Sequence, residues 1–206
     1  MKVLNNGYVE LIEWMGGDQA VIRNARRCWK SESKGGDSDR KLIKHLLTKG
    51  HMTPFEAMVF TFDVKCPLFV ARQWQRHRIG SYNEESLRYC IAEKDYYVPS
   101  GLTEKQERSW CNDNNLCFDD YAYWIGHGLP KEQARAILPT GIYTKFYWTV
   151  NGSSLMNFLR LRTDKHAQAE IREYAQNVLC LVQRMHVAPI TFYAFEQHLT
   201  GGQAND

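Results

Sequence analysis

The chain has no C-x-x-C pair, no G-x-x-x-x-G-K-[ST] loop, no G-x-G-x-x-G fingerprint and no H-E-x-x-H motif. Each absence removes a class of chemistry. Six cysteines (Cys28, Cys66, Cys90, Cys111, Cys117 and Cys180) are scattered without a regular framework, so reduced thiols are expected rather than a disulfide or zinc scaffold. Cys111 and Cys117, with five residues between them and no second pair, do not make a chelate. The missing glycine-rich loops exclude both P-loop and Rossmann nucleotide sites. No apolar run approaches membrane-spanning length, and the N-terminus lacks the apolar core of a signal peptide. The expectation is therefore a cytoplasmic protein with no membrane partner. An excess of one charge is also lacking: 26 Lys and Arg against 23 Asp and Glu leave a formal +3, too little to demand nucleic acid.

No repeat, low-complexity tract or linker divides the 206 residues, so one domain spanning 1–206 is expected. With 44% hydrophobic and 24% charged residues, the chain reads as soluble and able to bury a sizeable core. Val3 to Trp14 reads as a strand ended by Gly16-Gly17, and Asp18 as the cap of a helix running to Cys28. Lys30 to Asp39 is polar and glycine-containing, hence a mobile loop. Leu42, Ile43, Leu46 and Leu47 recur at helical spacing up to Gly50. Met58 to Val64 alternates as a strand, and Pro67 opens a helix that would carry Arg72, Gln73 and Arg76 on neighbouring turns. After Gly80 the chain looks irregular, with a short strand at Tyr96–Val98. Long helices follow from Thr103 toward Gly126 and from Pro130 through Arg135. Thr144 to Val150 reads as a strand, and the remainder as helices over Leu155–Leu161, Asp164–His186 and Ile190–Leu199. The mixture is α+β, an antiparallel or mixed sheet flanked by helices.

The densest chemistry lies between Ala71 and Cys90. Arg72, Arg76, Arg78, Arg88 and His77 sit there with Ser81, Asn83, Glu84, Glu85 and Ser86. An arginine presents a planar fork of N–H donors suited to phosphate or carboxylate oxygens. Three consecutive basic residues, Arg76–His77–Arg78, repel one another unless an anion is expected between them. A solvated basic face is the bland alternative, but Trp74 and Ile79 within the run, and Pro67–Val70 before it, tie this stretch to a core. A second constellation gathers Asn151, Asn157, Arg160, Arg162 and His166, which on periodicity alone is equally a basic helix end. The seven histidines (His45, His51, His77, His127, His166, His186 and His198) form no ligand set and read singly as core or surface residues.

Arg76 to Arg88 matches R-H-R-x-x-S-x-N-x-x-S-x-R at every fixed position: Arg76, His77, Arg78, Ser81, Asn83, Ser86 and Arg88. The chain thereby resembles the flavin-dependent thymidylate synthases. The likeness extends to H-M-T-P-F-E (His51–Glu56), I-L-P (Ile137–Pro139), F-Y-W-T-V-N (Phe146–Asn151) and S-L-M-N-F-L-R-L-R-T-D-K-H-A-Q (Ser154–Gln168). A single-stranded nucleic-acid binder built on Arg, Trp and Tyr has no use for the last of these.

The resemblance implies an enzyme that makes dTMP from dUMP, taking the methylene of methylenetetrahydrofolate and reducing it with NADPH through FAD. It places Arg76, His77, Arg78, Thr53, Glu84, Asn151 and Asn157 at the FAD site, with His51 and His166 near the flavin. Gln73, Arg76, Glu84, Ser86, Arg88 and Arg135 match dUMP-binding positions, and Arg162 the arginine that polarises the uracil. No cysteine lies inside these motifs, so no cysteine nucleophile is expected. Family members are homotetramers with sites at subunit interfaces. Two places depart from the pattern of the resemblance: Gly152-Ser153 stands where some relatives carry an arginine, and Cys28 where the family pattern has a small hydroxyl residue.

Overall fold

The computed structural model describes residues 1–202. Five strands form one antiparallel sheet in the order β1-β2-β3-β5-β4: β1 (Lys2–Val3), β2 (Gly7–Met15), β3 (Val59–Pro67), β4 (Ser81–Glu84) and β5 (Tyr143–Asn151). Eight α-helices among the described residues accompany it: α1 (Asp18–Arg27), α2 (Gly36–Thr48), α3 (Leu68–Trp74), α4 (Glu104–Gly126), α5 (Lys131–Ala134), α6 (Gly152–Arg162), α7 (Ala169–Arg184) and α8 (Pro189–Gly202). The expected α+β architecture is present, and the sheet is antiparallel throughout.

Alternation decides the layering. Phe60, Phe62, Val64 and Cys66 of β3, with Phe146, Trp148 and Val150 of β5, point to one face and are fully buried. Trp74 of α3, Phe158 of α6 and Tyr174 of α7 close over them, while Phe192 of α8 meets the Phe60 ring at 5.9 Å. The opposite face holds Thr61, Asp63, Tyr147 and Thr149, and Tyr147 stays 52% exposed.

Several elements differ from the sequence reading, each for a local reason. Val3–Trp14 is a hairpin rather than one strand. Leu4 takes a left-handed φ of 55° in its turn, and a Cβ at Gly7 would stand 2.8 Å from the carbonyl oxygens of Val3 and Lys65. Gly17, not Asp18, occupies the cap of α1. The Asp18 carboxylate instead accepts from Ile190 N (2.9 Å), Thr191 N (2.9 Å) and Thr191 Oγ1 (2.7 Å), capping α8 from across the fold. Of the expected loop Lys30–Asp39 only 30–35 lies outside α2, and it is tethered: buried Asp39 accepts from Ser33, from Arg26 at 2.9 Å and from Gly35 N at 3.1 Å. The hydroxyl of Ser33 and then the Arg26 guanidinium hold the Asp39 carboxyl below its ordinary range. The helix after Pro130 ends at Ala134 and becomes a 3₁₀ turn over Arg135–Ile137; Tyr96–Val98 reduces to one bridge, Tyr96 to Ile142. Thr103 caps α4 as a complete capping box with Gln106, as its spacing suggests.

Candidate active site

The site begins at the end of α3. Trp74, its last residue, stacks on Phe158 at 4.7 Å and meets Trp148, Phe146 and Tyr174 edge-on at 5.3, 5.6 and 5.8 Å. The helix stops there, so Arg76 lies on the following turn, whereas the sequence reading put it on the helix with Arg72 and Gln73. That turn is fixed from below. The Tyr82 hydroxyl donates to the carbonyls of Trp74 (3.1 Å) and His77 (2.8 Å). Ser81–Glu84 is then regular, not irregular: its pairing with β5 places Tyr82 beside Trp148, the two rings stacked at 6.4 Å.

From this turn Arg76, His77 and Arg78 reach a cleft of about 810 Å³, whose far wall is α6 with Asn157, Arg160 and Arg162. Among the described residues, four guanidinium groups and no carboxylate line it. Arg76 and Arg78 make no hydrogen bond or ion pair among the described residues. Leu155, Met156, Phe158 and Leu159 bury the inner side of α6, which leaves Asn157 and Arg160 outward; Arg160 Nη2 donates to Asn157 Oδ1 at 3.1 Å. The N-terminus of α6, capped by Asn151 Oδ1 accepting from Ser154 N at 2.8 Å, brings Ser153 and Ser154 to the same cleft. A helix N-terminus and four arginines both favour an anion there. At Gly152 a Cβ would stand 2.6 Å from the Phe55 carbonyl, so no larger residue fits that departure from the family pattern.

Arg162 is held in place. Its Nε donates to His77 Nε2 at 3.0 Å and its Nη2 to the Gln73 carbonyl at 3.1 Å. Burial, and then the Arg162 charge, lower the His77 pKa from its ordinary 6.5 to about 4, so the ring is the neutral acceptor this contact needs. Burial and then Arg76 lower the Arg162 pKa in turn. An unfolded chain protonates His77 at about 6.5 and the folded one at about 4. Between those values the unfolded state binds more protons, so this contribution is complete above pH 6.5 and is lost as pH falls toward 4. Urea midpoints followed across that window should fall with pH in the wild type and flatten in His77→Gln, which keeps an acceptor without titrating. An unchanged slope in the variant would reject the assignment.

The other expected residues stand apart. Glu84, Ser86 and Arg135 line a second cleft of about 640 Å³. Arg88 lies at its rim, more than half exposed, with Nε 3.6 Å from Glu132 Oε2. His51 and Thr53 line a third of about 890 Å³, with Arg26, Cys28 and His45. Gln73 lies on α3 and hydrogen-bonds Gln168, while His166 is exposed on the turn before α7, its Nδ1 held by Asp164 at 3.0 Å. One chain therefore brings Arg76, His77, Arg78, Asn157 and Arg162 together, with Asn151 behind them and the Gln73 carbonyl against Arg162, and leaves the other expected residues elsewhere on its surface. Cys66, close to Glu84, is fully buried, and burial and then Glu84 push its thiol well up; no cysteine lines the arginine cleft. Residues that motif reading missed are Ser154, Ile79 and Phe195 in the arginine cleft, and Gln75 and Thr144, which donate to Glu84 at 2.9 and 2.7 Å. Gln75 stands inside the basic stretch, whereas only strand pairing brings Thr144 near.

Known proteins similar to this chain point to one family. The model of the thymidylate synthase complementing protein family matches residues 10–190. A flavin-dependent thymidylate synthase of Thermotoga neapolitana is 44% identical over 210 residues, which cover 98% of this chain and 96% of that one. One from Thermus thermophilus is 36% identical over 218 residues, covering 98% and 80%. A crystal structure of the UMP/dUMP methylase PolB from Streptomyces cacaoi, bound with 5-Br dUMP, superposes with a TM-score of 0.87 at 30% identity, covering 95% of this chain and 97% of that one. With its family model, full-length relatives and fold in agreement, this chain belongs to the flavin-dependent thymidylate synthase family.

Proposed function

We propose that the protein converts dUMP to dTMP, with methylenetetrahydrofolate as one-carbon donor, NADPH as reductant and FAD as the flavin. The observation that carries this reading is the cleft where Arg76, Arg78, Arg160 and Arg162 converge, with no carboxylate among the described residues of its lining. Such a lining leaves positive charge unneutralised, which suits the diphosphate of FAD and the phosphate of a nucleotide. FAD fits what is there: Arg76, Arg78, Ser153, Ser154 and Asn157 offer donors, and the α6 N-terminus adds its dipole. When bound, FAD supplies hydride transfer that no side chain can perform.

The chain's own residues orient and polarise. A guanidinium at the pyrimidine edge favours negative charge on its oxygens, which makes C5 more nucleophilic. Arg162 fits that role because neutral His77 takes up its Nε–H and the Gln73 carbonyl takes up Nη2, fixing the plane of the fork. Ser86, Arg88 and Arg135 suit the dUMP phosphate, and His51, Thr53 and His166 border the flavin. No cysteine nucleophile is invoked: Cys66 near Glu84 is sealed in the core with its thiol pushed well up, and the arginine cleft has no cysteine on its lining.

Ser86, Arg88 and Arg135 stand on a different cleft from Arg162. A second copy is the simplest means of bringing the two sets to one nucleotide. The apolar groups left exposed on the sheet, Ile12 (49%), Trp14 (42%) and Tyr147 (52%), supply surface for such contacts. Light scattering should give a tetramer, four times 24.0 kDa. A flavin-loaded, active monomer would overturn that assembly. The function itself is tested by colour and product. The purified protein should be yellow, bleach anaerobically on adding NADPH, and form dTMP when dUMP and methylenetetrahydrofolate are present. A protein that stays colourless after incubation with FAD would refute the reading.

A further inference from the structure

We infer that Thr144, acting with Gln75, is a positioning residue that fixes the Glu84 carboxylate on the wall of the nucleotide cleft. Glu84 is the last residue of β4, an edge strand paired only with β5, and such a position gives a flexible side chain little support of its own. Yet both of its oxygens are engaged. Thr144 Oγ1 donates to Oε1 at 2.7 Å, and Gln75 Nε2 donates to Oε2 at 2.9 Å. The donors come from two other elements, β5 and the turn after α3, so the carboxylate is held from two sides. Both are uncharged and leave its negative charge uncompensated. Glu84 borders the 640 Å³ cleft with Ser86 and Arg135, and also the adjoining cleft of about 450 Å³ with Asn83 and Tyr147. A carboxylate on a wall between two clefts can receive N–H or O–H groups of a ligand only if its rotamer is fixed.

The Thr144 hydroxyl is the specific feature. In a β-strand, valine has the same branching, nearly the same volume and a comparable preference for extended backbone. Backbone pairing of Thr144 with Cys66 does not involve the hydroxyl. The oxygen therefore does little for the strand and much for Glu84.

The inference rests on the proposed reading of the site, and its test separates the two. Thr144→Val, Thr144→Ser, Glu84→Gln and the double variant Thr144→Val/Glu84→Gln would be purified with flavin and compared by steady-state kinetics, by calorimetry with dUMP, and by thermal melting. Thr144→Val should lower kcat/KM for dUMP and dUMP affinity about tenfold, with its melting temperature close to wild type. Thr144→Ser should restore both to within about threefold. In the Glu84→Gln background the valine change should have almost no further effect, because the group it positions is already altered. Thr144→Val indistinguishable from wild type, or equally costly with and without the Glu84 carboxylate, would overturn the inference while leaving the proposed function intact. Wild-type protein that forms no dTMP would overturn both.

Discussion

Arg162→Lys should cut dTMP formation about 10²- to 10³-fold while leaving flavin content and NADPH-driven bleaching largely in place. The substitution keeps the charge and removes the geometry. A planar guanidinium gives its Nε–H to His77 Nε2 and one Nη2–H to the Gln73 carbonyl at once, with other N–H groups left for a substrate. An ammonium is a point charge on a flexible stem and cannot hold both anchors while presenting a flat edge. The side chain lies at the C-terminal end of α6, outside the packed row Leu155, Met156, Phe158 and Leu159, so the fold should tolerate the change. Bleaching needs no activated C5, whereas methylene transfer does. The six cysteines supply the contrast: serine at Cys28, Cys66 or Cys90 should each leave substantial dTMP synthesis, because none lies in the Arg162 cleft. Anaerobic absorbance at the flavin band and dTMP quantified from the same preparations decide it. A fully active Arg162→Lys, beside a cysteine variant that bleaches yet makes no dTMP, would reverse the assignment.

The motif that identified the family spans Arg76–Arg88 without a break, yet the fold divides it. Arg76, His77 and Arg78 face the arginine cleft, β4 then crosses the sheet edge, and Ser86 and Arg88 emerge beside another. Contiguity in sequence therefore concealed that these residues lie on different surfaces of one chain. Strand β4 was invisible to periodicity because Tyr82 is the one apolar residue of Ser81–Glu84, and four residues with one apolar side chain look like loop. Asp18 shows the converse failure. A carboxylate before an apolar run is the local signature of a helix cap, but the cap it makes belongs to α8, a contact of long range that no window contains. Gln75 and Thr144 illustrate what motif reading omits: they bear on Glu84 through geometry alone. The helices α4 and α6 and strands β3 and β5 were legible because their burial follows one simple period each.

Trp74→Ala should destabilise the protein by about 3–5 kcal/mol, a large part of the 5–15 typical of a domain, and should strip flavin as it does so. Trp74 is fully buried at the junction of sheet and helices, in contact with rings from β5 (Phe146, Trp148), α6 (Phe158) and α7 (Tyr174). Truncation would leave a cavity bounded by four rigid aromatic rings, which cannot collapse into it. The same loss would loosen the turn behind it, since the Tyr82 hydroxyl is shared between the carbonyls of Trp74 and His77, and Arg162 leans on His77. Core packing and site geometry are thus one continuous contact. Trp74→Phe separates area from polarity. Nε1 of Trp74 is buried without a hydrogen-bond partner among the described residues, a burden of about 1–3 kcal/mol that phenylalanine does not carry. The six-membered ring also keeps the stack on Phe158. Trp74→Phe should therefore cost less than about 2 kcal/mol and retain flavin, despite its lost volume. Urea denaturation with constant m-value, read with the flavin-to-protein ratio of each variant, gives the comparison. If phenylalanine cost as much as alanine, packing of the indole's second ring, and not the shared aromatic contact, would govern this junction.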